Sequence, residues 1–173
     1  MSTDKINQVD TSAGPKGIGG WLVLPIIGFV GVILLTFKNL LETFSKENMV
    51  GLEAIFDATS GPLATLKIPL ALSFIAGIIV IASASYCLLM IVNKDHKIVK
   101  FATVHYLILA VAGLVDLWAG FVLEAAVPSA PLGNDVIKGA MQGILVAAVW
   151  IPYFRKSRRV KNTFVKNGEG VSY

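Results

Sequence analysis

The chain has few of the side chains on which enzyme chemistry and covalent cross-links depend. Its 173 residues include one cysteine and two histidines, and only 15% are charged. Cys87 stands alone, so an internal disulfide is excluded. We find no His, Cys and Glu cluster at metal-ligand spacing, no phosphate-binding glycine loop and no Ser/His/Asp set. The sequence therefore predicts no metal, no cofactor and no catalytic residue, and it indicates that the protein is not an enzyme.

What the chain does contain is four long apolar runs, separated by breaks that carry charge. Hydrophobic residues make up 55% of the sequence, and its mean hydropathy is +0.72. The runs occupy residues 18–37, 68–92, 101–123 and 136–154. A helix rises about 1.5 Å per residue, so each run is long enough to cross the ~30 Å hydrocarbon core of a bilayer. The sequence predicts an all-α fold, in which residues 18–154 form an antiparallel four-helix transmembrane bundle.

The basic residues are distributed unevenly between the two faces of this predicted bundle. Eleven fall on the face that holds both termini: Lys5, Lys16, Lys94, Lys97, Lys100, Arg155, Lys156, Arg158, Arg159, Lys161 and Lys166. The other face has only four, Lys38, Lys46, Lys67 and Lys138. By the positive-inside rule both termini are expected to be cytoplasmic. This distribution explains the basic composition without any nucleic-acid partner.

Three segments lie outside the predicted spans. Residues 1–17 are polar and are predicted to be a disordered cytoplasmic tail, and residues 155–173 a basic cytoplasmic tail. The first external loop, residues 38–67, is too long for a bare connection. Its apolar residues recur at helical spacing beside charged ones: Leu40, Leu41, Phe44, Leu52, Ile55 and Phe56. This pattern predicts short amphipathic helices on the membrane surface.

Asp116 is the one acidic residue deep inside a predicted span. An ionised carboxylate at that depth costs about 2.5–3.5 kcal/mol, so it must face the bundle interior, find donors or bind a proton. Gln142 of the fourth span has matching depth, and Lys138 lies one turn above it. Asp116 is either a proton- or cation-binding site or one half of a polar pair that holds two helices in register. His105, near the membrane interface, is interpreted as a hydrogen-bonded structural residue.

Small residues recur every four positions along the fourth span, at Gly139, Gly143 and Ala147. Small side chains let transmembrane helices approach closely, and packing drives helix association inside a bilayer. The pattern predicts a helix contact, and it leaves open whether the partner helix belongs to the same chain or to another copy.

Aromatic and basic residues mark the cytoplasmic ends of the first and fourth spans. Trp21, Trp150, Tyr153 and Phe154 are predicted to lie at the membrane interface, because their rings are bulky and apolar. The residues predicted to contact anionic lipid headgroups are Arg155, Arg158, Arg159 and Lys161. A stop-transfer anchor that only fixes orientation explains the same basic residues.

Two segments at these ends resemble one known family. They are Gly-Ile-Gly-Gly-Trp-Leu at 17–22 and Trp-Ile-Pro-Tyr-Phe at 150–154, the latter followed by Ser157, Arg159, Val160, Thr163 and Phe164. Together they resemble the YdgK-like family, small bacterial inner-membrane proteins classed as a domain of unknown function. The resemblance implies four spans in the bacterial cytoplasmic membrane, and it supplies no substrate, cofactor or site residue. Because the glycines permit close approach, we expect the two ends of the chain to pack together.

Two functions from different classes fit this sequence. The first is a non-enzymatic accessory or scaffold subunit that binds other membrane proteins, a second copy of itself, or lipids. The second is a small proton-coupled transporter or exporter with Asp116 as its coupling site. Having a single deep acidic residue favours the first, because transporters usually place several ionisable groups in the membrane.

Overall fold

The protein is described by a computed structural model that covers residues 17–129 and 133–164. Within those ranges every regular element is helical, and four stretches are long and apolar enough to span a membrane: Gly20–Thr43, Pro62–Val92, Ile98–Ala126 and Asn134–Lys156. The α-helices are α1 (Val23–Thr43), α2 (Lys46–Asp57), α3 (Lys67–Val92), α4 (Ile98–Ala126), α5 (Asn134–Lys156) and α6 (Arg158–Thr163). The predicted all-α fold with four membrane-spanning helices is confirmed. Of the predicted tails at 1–17 and 155–173, residues 1–16 and 165–173 lie outside the described residues. Residues 155–164 are described, and they contain the end of α5 and the short helix α6.

The four long helices pack in chain order, α1 against α3, α3 against α4 and α4 against α5. The end of the bundle that holds Gly17 and Thr163 is called the terminal end here. The end that holds α2 and the connection between α4 and α5 is called the loop end. Because membrane-spanning helices satisfy their own backbone hydrogen bonds, this arrangement leaves side-chain packing to determine which faces meet.

The loop between the first two spans differs in detail from the prediction of several short helices. Its first amphipathic stretch continues α1 as far as Thr43, since neither glycine nor proline occurs there to break the helix. The chain turns at Ser45, whose extended backbone (ψ 154°) precedes α2. Its carbonyl accepts hydrogen bonds from the N–H groups of Asn48 and Met49, each at 3.0 Å. The loop therefore contains one amphipathic helix, α2, and a short 3₁₀ turn at Pro62–Leu66.

The connection between α3 and α4 is a tight reversal. Lys94 takes a positive φ of 52° just after the helix end. The N–H of Asp95 then donates to Met90 O at 2.9 Å, and that of Lys94 donates to Ile91 O at 3.1 Å. This pair of bonds is a Schellman motif, which satisfies the last carbonyls of α3 and turns the chain at once into α4.

An aromatic core fills the terminal end of the bundle. The ring of Phe29 lies 5.6 Å from that of Tyr106 and 6.5 Å from that of Phe154, which is itself 6.1 Å from Tyr106. Phe154 is completely buried, so its predicted place at the lipid interface is wrong. The reason is rotational: Phe154 follows Ala147 by seven residues, two helical turns, and therefore shares the face of α5 that packs inward.

The two ends of the described chain meet, as expected from their glycines. The N–H of Gly17 donates to Thr163 Oγ1 at 3.0 Å, and the same hydroxyl donates to Gly17 O at 3.3 Å. Val160, which lies in α6, and Phe164, which follows it, are buried. Ser157 caps that helix by accepting a hydrogen bond from the N–H of Val160. The hydrogen bonds and the buried side chains together attach the C-terminal segment to the start of the first span.

Gly20 should not tolerate a larger residue at this junction. Its φ is +54°, and a Cβ built there would lie 3.1 Å from Nη1 of Arg159. Since the left-handed conformation costs a non-glycine residue about 1–2 kcal/mol, we expect Gly20→Ala to lower the free energy of unfolding by that amount. Thermal unfolding of the full chain in detergent micelles measures it. Gly28→Ala is the control, because a Cβ there meets open space; equal losses in both variants would contradict the prediction.

Candidate functional site

A cavity of about 420 Å³ lies at the loop end of the bundle. Helix α4 forms one wall with Asp116, Ala119, Gly120 and Leu123. These residues fall at intervals of three, one and three, so they share a single face of the helix. Two of them are small and leave space beside the helix backbone. Asp116 is the only ionisable residue on this wall.

Helix α2 and the start of α3 enclose the rest of the cavity. The residues contributed by α2 are Asn48, Gly51, Leu52 and Ile55, and those from the entry to α3 are Leu66, Pro69 and Leu70. Thr43 at the end of α1 and Val136 near the start of α5 complete the lining. The amphipathic pattern of α2 explains its position, because its apolar side covers the cavity.

Asp116 faces into this cavity and toward α3. Asp116 is exposed, and it contributes to the lining of the cavity. Across the α3–α4 contact it faces the hydroxyl of Ser73. Ser73 Oγ is itself buried, and the carboxylate is the polar group that it faces. The site therefore places an acidic group beside a hydroxyl that can donate to it. The sequence alone did not identify Ser73 as a residue of this site.

The predicted pairing of Asp116 with Gln142 is not formed. Gln142 is exposed on α5, and Lys138 forms an exposed ion pair with Asp135 at 3.4 Å. Within the described ranges, the hydrogen bonds include none between Asp116 and either residue. The prediction considered only the depth of the two residues in the membrane and not the direction in which each side chain points from its helix. The residue next to Gln142 is the one that packs on α4, and adjacent residues on a helix point about 100° apart.

Helices α4 and α5 touch through small residues. A Cβ at Gly113 would lie 3.0 Å from Ala140 Cα, and one at Gly143 would lie 3.2 Å from Leu109 O. Gly143 and Ala147 are buried in this contact, and its partner helix is within the same chain. Gly139 instead has open space where its Cβ would be. Gly113 and Ala140, which complete the contact, belong to no regular four-residue series and were missed from the sequence.

His105 lies in the aromatic core and takes no part in the cavity. It is almost fully buried, its Nδ1 is 2.9 Å from Ser83 Oγ, and its ring meets Phe29 edge-on at 5.1 Å. Its Nε2 has no partner among the described residues. Asp116 is eleven residues further along α4, about 16 Å away along the helix axis. The two groups are therefore separate features of the bundle.

The remaining predicted interface residues lie at the terminal end. Trp21 is 73% exposed, and Trp150 and Tyr153 contact each other edge-on at 5.3 Å. Arg159 is half-buried, with its guanidinium over Gly19 and Gly20. The basic side chains that are exposed here are Arg155, Lys156, Arg158 and Lys161. This end is thus basic and aromatic, and the loop end holds the acidic cavity.

These features define a class, a multi-pass α-helical membrane protein with four candidate spans. Across the described ranges, no group of three or more His, Cys, Asp or Glu side chains is placed to hold a metal ion. The chain belongs to the family described as "Protein of unknown function (DUF2569)", whose sequence profile matches residues 15–165. Searches of curated proteins and of solved structures found no match.

Proposed function

We propose that this protein is a small, non-enzymatic transporter or exporter that couples ligand movement to protons through Asp116. The single observation that carries the proposal is that the deep carboxylate lines a cavity of about 420 Å³. Cavities of about 300–1,000 Å³ are typical of small-molecule sites. A carboxylate in such a place mediates coupling, because it is stable only with a proton or a bound cation beside it.

The competing interpretation of Asp116 as an interhelical polar pair has less support. Such a pair needs a partner within hydrogen-bonding distance on the neighbouring helix. The predicted partner Gln142 is exposed on α5, and the described polar group that faces the carboxylate is the hydroxyl of Ser73. The contact between α4 and α5 is supplied instead by Gly113, Ala140 and Gly143, none of which has a polar side chain.

The proposed location is the bacterial cytoplasmic membrane with both termini in the cytoplasm, as the basic terminal end and the YdgK-like resemblance suggest. In this orientation the cavity opens near the outer face. The exposed Arg155, Arg158 and Lys161 would then lie beside anionic lipid headgroups, where each basic residue contributes about 1 kcal/mol of attraction. Trp21 would anchor the same interface.

A second candidate function is an accessory or scaffold subunit, and one observation favours it. Gly139 and Gln142 lie on the outward side of α5, where the glycine meets open space and the amide is exposed. A small residue beside an amide is a suitable contact for another transmembrane helix. The partner would be a different membrane protein or a second copy of this chain.

Proton coupling can be tested with the full chain in phospholipid vesicles that contain a pH-sensitive dye. Three solutes with one apolar body and different charge are added outside: adamantylamine, adamantanol and adamantane carboxylic acid. We expect at least one of them to cause an internal pH change that Asp116→Asn abolishes, because an amide cannot exchange protons. Protein-free vesicles measure the permeation of each solute through lipid.

Glu124→Gln is the matched control, since it also removes a carboxylate from α4 but lies outside the cavity lining. We expect it to behave as the wild type. A wild-type protein that gives no pH change beyond protein-free vesicles with any of the solutes would overturn the proposal. So would an equal loss in both variants. Asp116→Asn should retain the wild-type melting temperature, whereas an interhelical polar pair predicts a poorly assembled protein.

A further inference from the structure

The lining of the cavity restricts the chemistry of its ligand. Along the described wall, Asp116 is the single charged residue, and no Lys, Arg or His side chain is present to neutralise it. The positive charge that balances the carboxylate must therefore be supplied by a bound proton or by the ligand. A neutral ligand would leave the carboxylate without a counterion, and an anionic ligand would be repelled by the carboxylate. Charge complementarity thus favours a ligand that is itself positively charged.

The rest of the wall favours a mainly apolar ligand body. Leu52, Ile55, Leu70 and Leu123 are aliphatic, and the polar residues Thr43 and Asn48 come only from α1 and α2. An apolar group that enters this space removes its own surface and that of these side chains from water. A small hydrated metal cation would gain nothing from such walls, because hard cations prefer several oxygen ligands.

The kind of cation follows from which groups surround the carboxylate. Quaternary ammonium groups are typically bound by cages of aromatic rings, and no aromatic residue lines the described wall. Asp116 instead offers carboxylate oxygens on the cavity wall. These oxygens accept hydrogen bonds from N–H groups. A protonated amine supplies those donors, and a quaternary ammonium does not.

We propose that the cavity binds a lipophilic protonated amine, with its ammonium N–H groups on Asp116 and its apolar body against α2 and α4. This inference rests on the proposed function and names the ligand class of the same site. Protons compete with the amine for Asp116, so binding weakens as the pH falls. Loss of one charge-assisted hydrogen bond should weaken binding about 10- to 100-fold.

The test is isothermal titration of the full chain in lipid nanodiscs with three probes that share one body. Adamantylamine has charge and N–H donors, adamantyl trimethylammonium has charge alone, and adamantanol has neither. We expect adamantylamine to bind about tenfold or more tightly than either analogue. Asp116→Asn should reduce its affinity to that of adamantanol, and Glu124→Gln should leave it unchanged.

Each probe tests a separate part of the inference. Equal binding of the quaternary analogue would overturn the N–H requirement, and equal binding of adamantanol would overturn the need for charge. Amine binding that survives Asp116→Asn would place the ligand elsewhere and overturn the site. If only adamantane carboxylic acid or adamantanol changes the internal pH of the vesicles, the proposed ligand class is wrong and proton coupling stands. Amine binding without any pH change leaves the ligand class intact and removes the transport function.

Discussion

Gly113→Leu is expected to prevent α4 and α5 from packing and to leave little folded protein. A Cβ at this position already lies 3.0 Å from Ala140 Cα, an atom of the backbone that cannot move aside by rotation. The added side chain forces the two helices apart along their whole contact. Overpacking typically costs about 1–3 kcal/mol, and we expect the upper end of that range here because the contact is with backbone. Unfolding of the full chain in micelles by heat or by an anionic detergent measures the loss.

Gly139→Leu provides the matched control for this substitution. The same leucine is introduced on α5, where a Cβ meets nothing within 4 Å. We expect it to leave the unfolding midpoint of the isolated protein close to wild type. Comparable destabilisation by both variants would contradict the described register of α4 and α5. If Gly139→Leu leaves the fold intact but releases a partner that co-purifies with the wild type, the scaffold candidate gains support.

Phe154→Ala is expected to lower the free energy of unfolding by about 3–5 kcal/mol. The ring is completely buried at the terminal end, and it packs beside the rings of Phe29, Tyr106 and Tyr153. Its removal leaves a void among side chains that belong to α1, α4 and α5. Those helices are held by their other contacts and cannot collapse fully into the space. Thermal unfolding of the full chain in micelles detects the change.

Phe121→Ala separates this packing effect from the general loss of an aromatic ring. Phe121 lies on α4 but is 51% exposed on the outside of the bundle. Exposed substitutions usually change stability by about 0.5 kcal/mol or less. A Phe154→Ala protein that unfolds at the same temperature as Phe121→Ala would show that the aromatic core is not the stabilising centre described here.

Much of the fold could be predicted because it depends on length and composition. Four apolar runs of membrane-spanning length define the helices whatever their neighbours are. The amphipathic loop helix and the meeting of the two ends also follow from local patterns, the latter from glycines at Gly17, Gly19 and Gly20. The apolar runs and the loop helix are each encoded in a continuous stretch of sequence, and the glycines mark one side of the contact between the two ends.

The failures concern the rotation of helices about their own axes. Gln142 and Phe154 were assigned from depth and residue type, yet one points outward and the other inward. In a soluble helix the apolar stripe reveals the buried face. In a membrane helix both faces are apolar, so that signal is almost absent and small residues remain as the guide. Gly113 and Ala140 lacked a regular spacing, and the cavity beside Asp116 forms only where five helices, α1 to α5, come together.

The hydrogen bonds between Gly17 and Thr163 have a consequence for biosynthesis. Thr163 lies 146 residues after Gly17, so this contact forms only once all four long helices have been synthesised. A chain that stops before α6 lacks the Arg159 guanidinium that lies over Gly19 and Gly20. We expect such a chain to be degraded faster than one that contains α6.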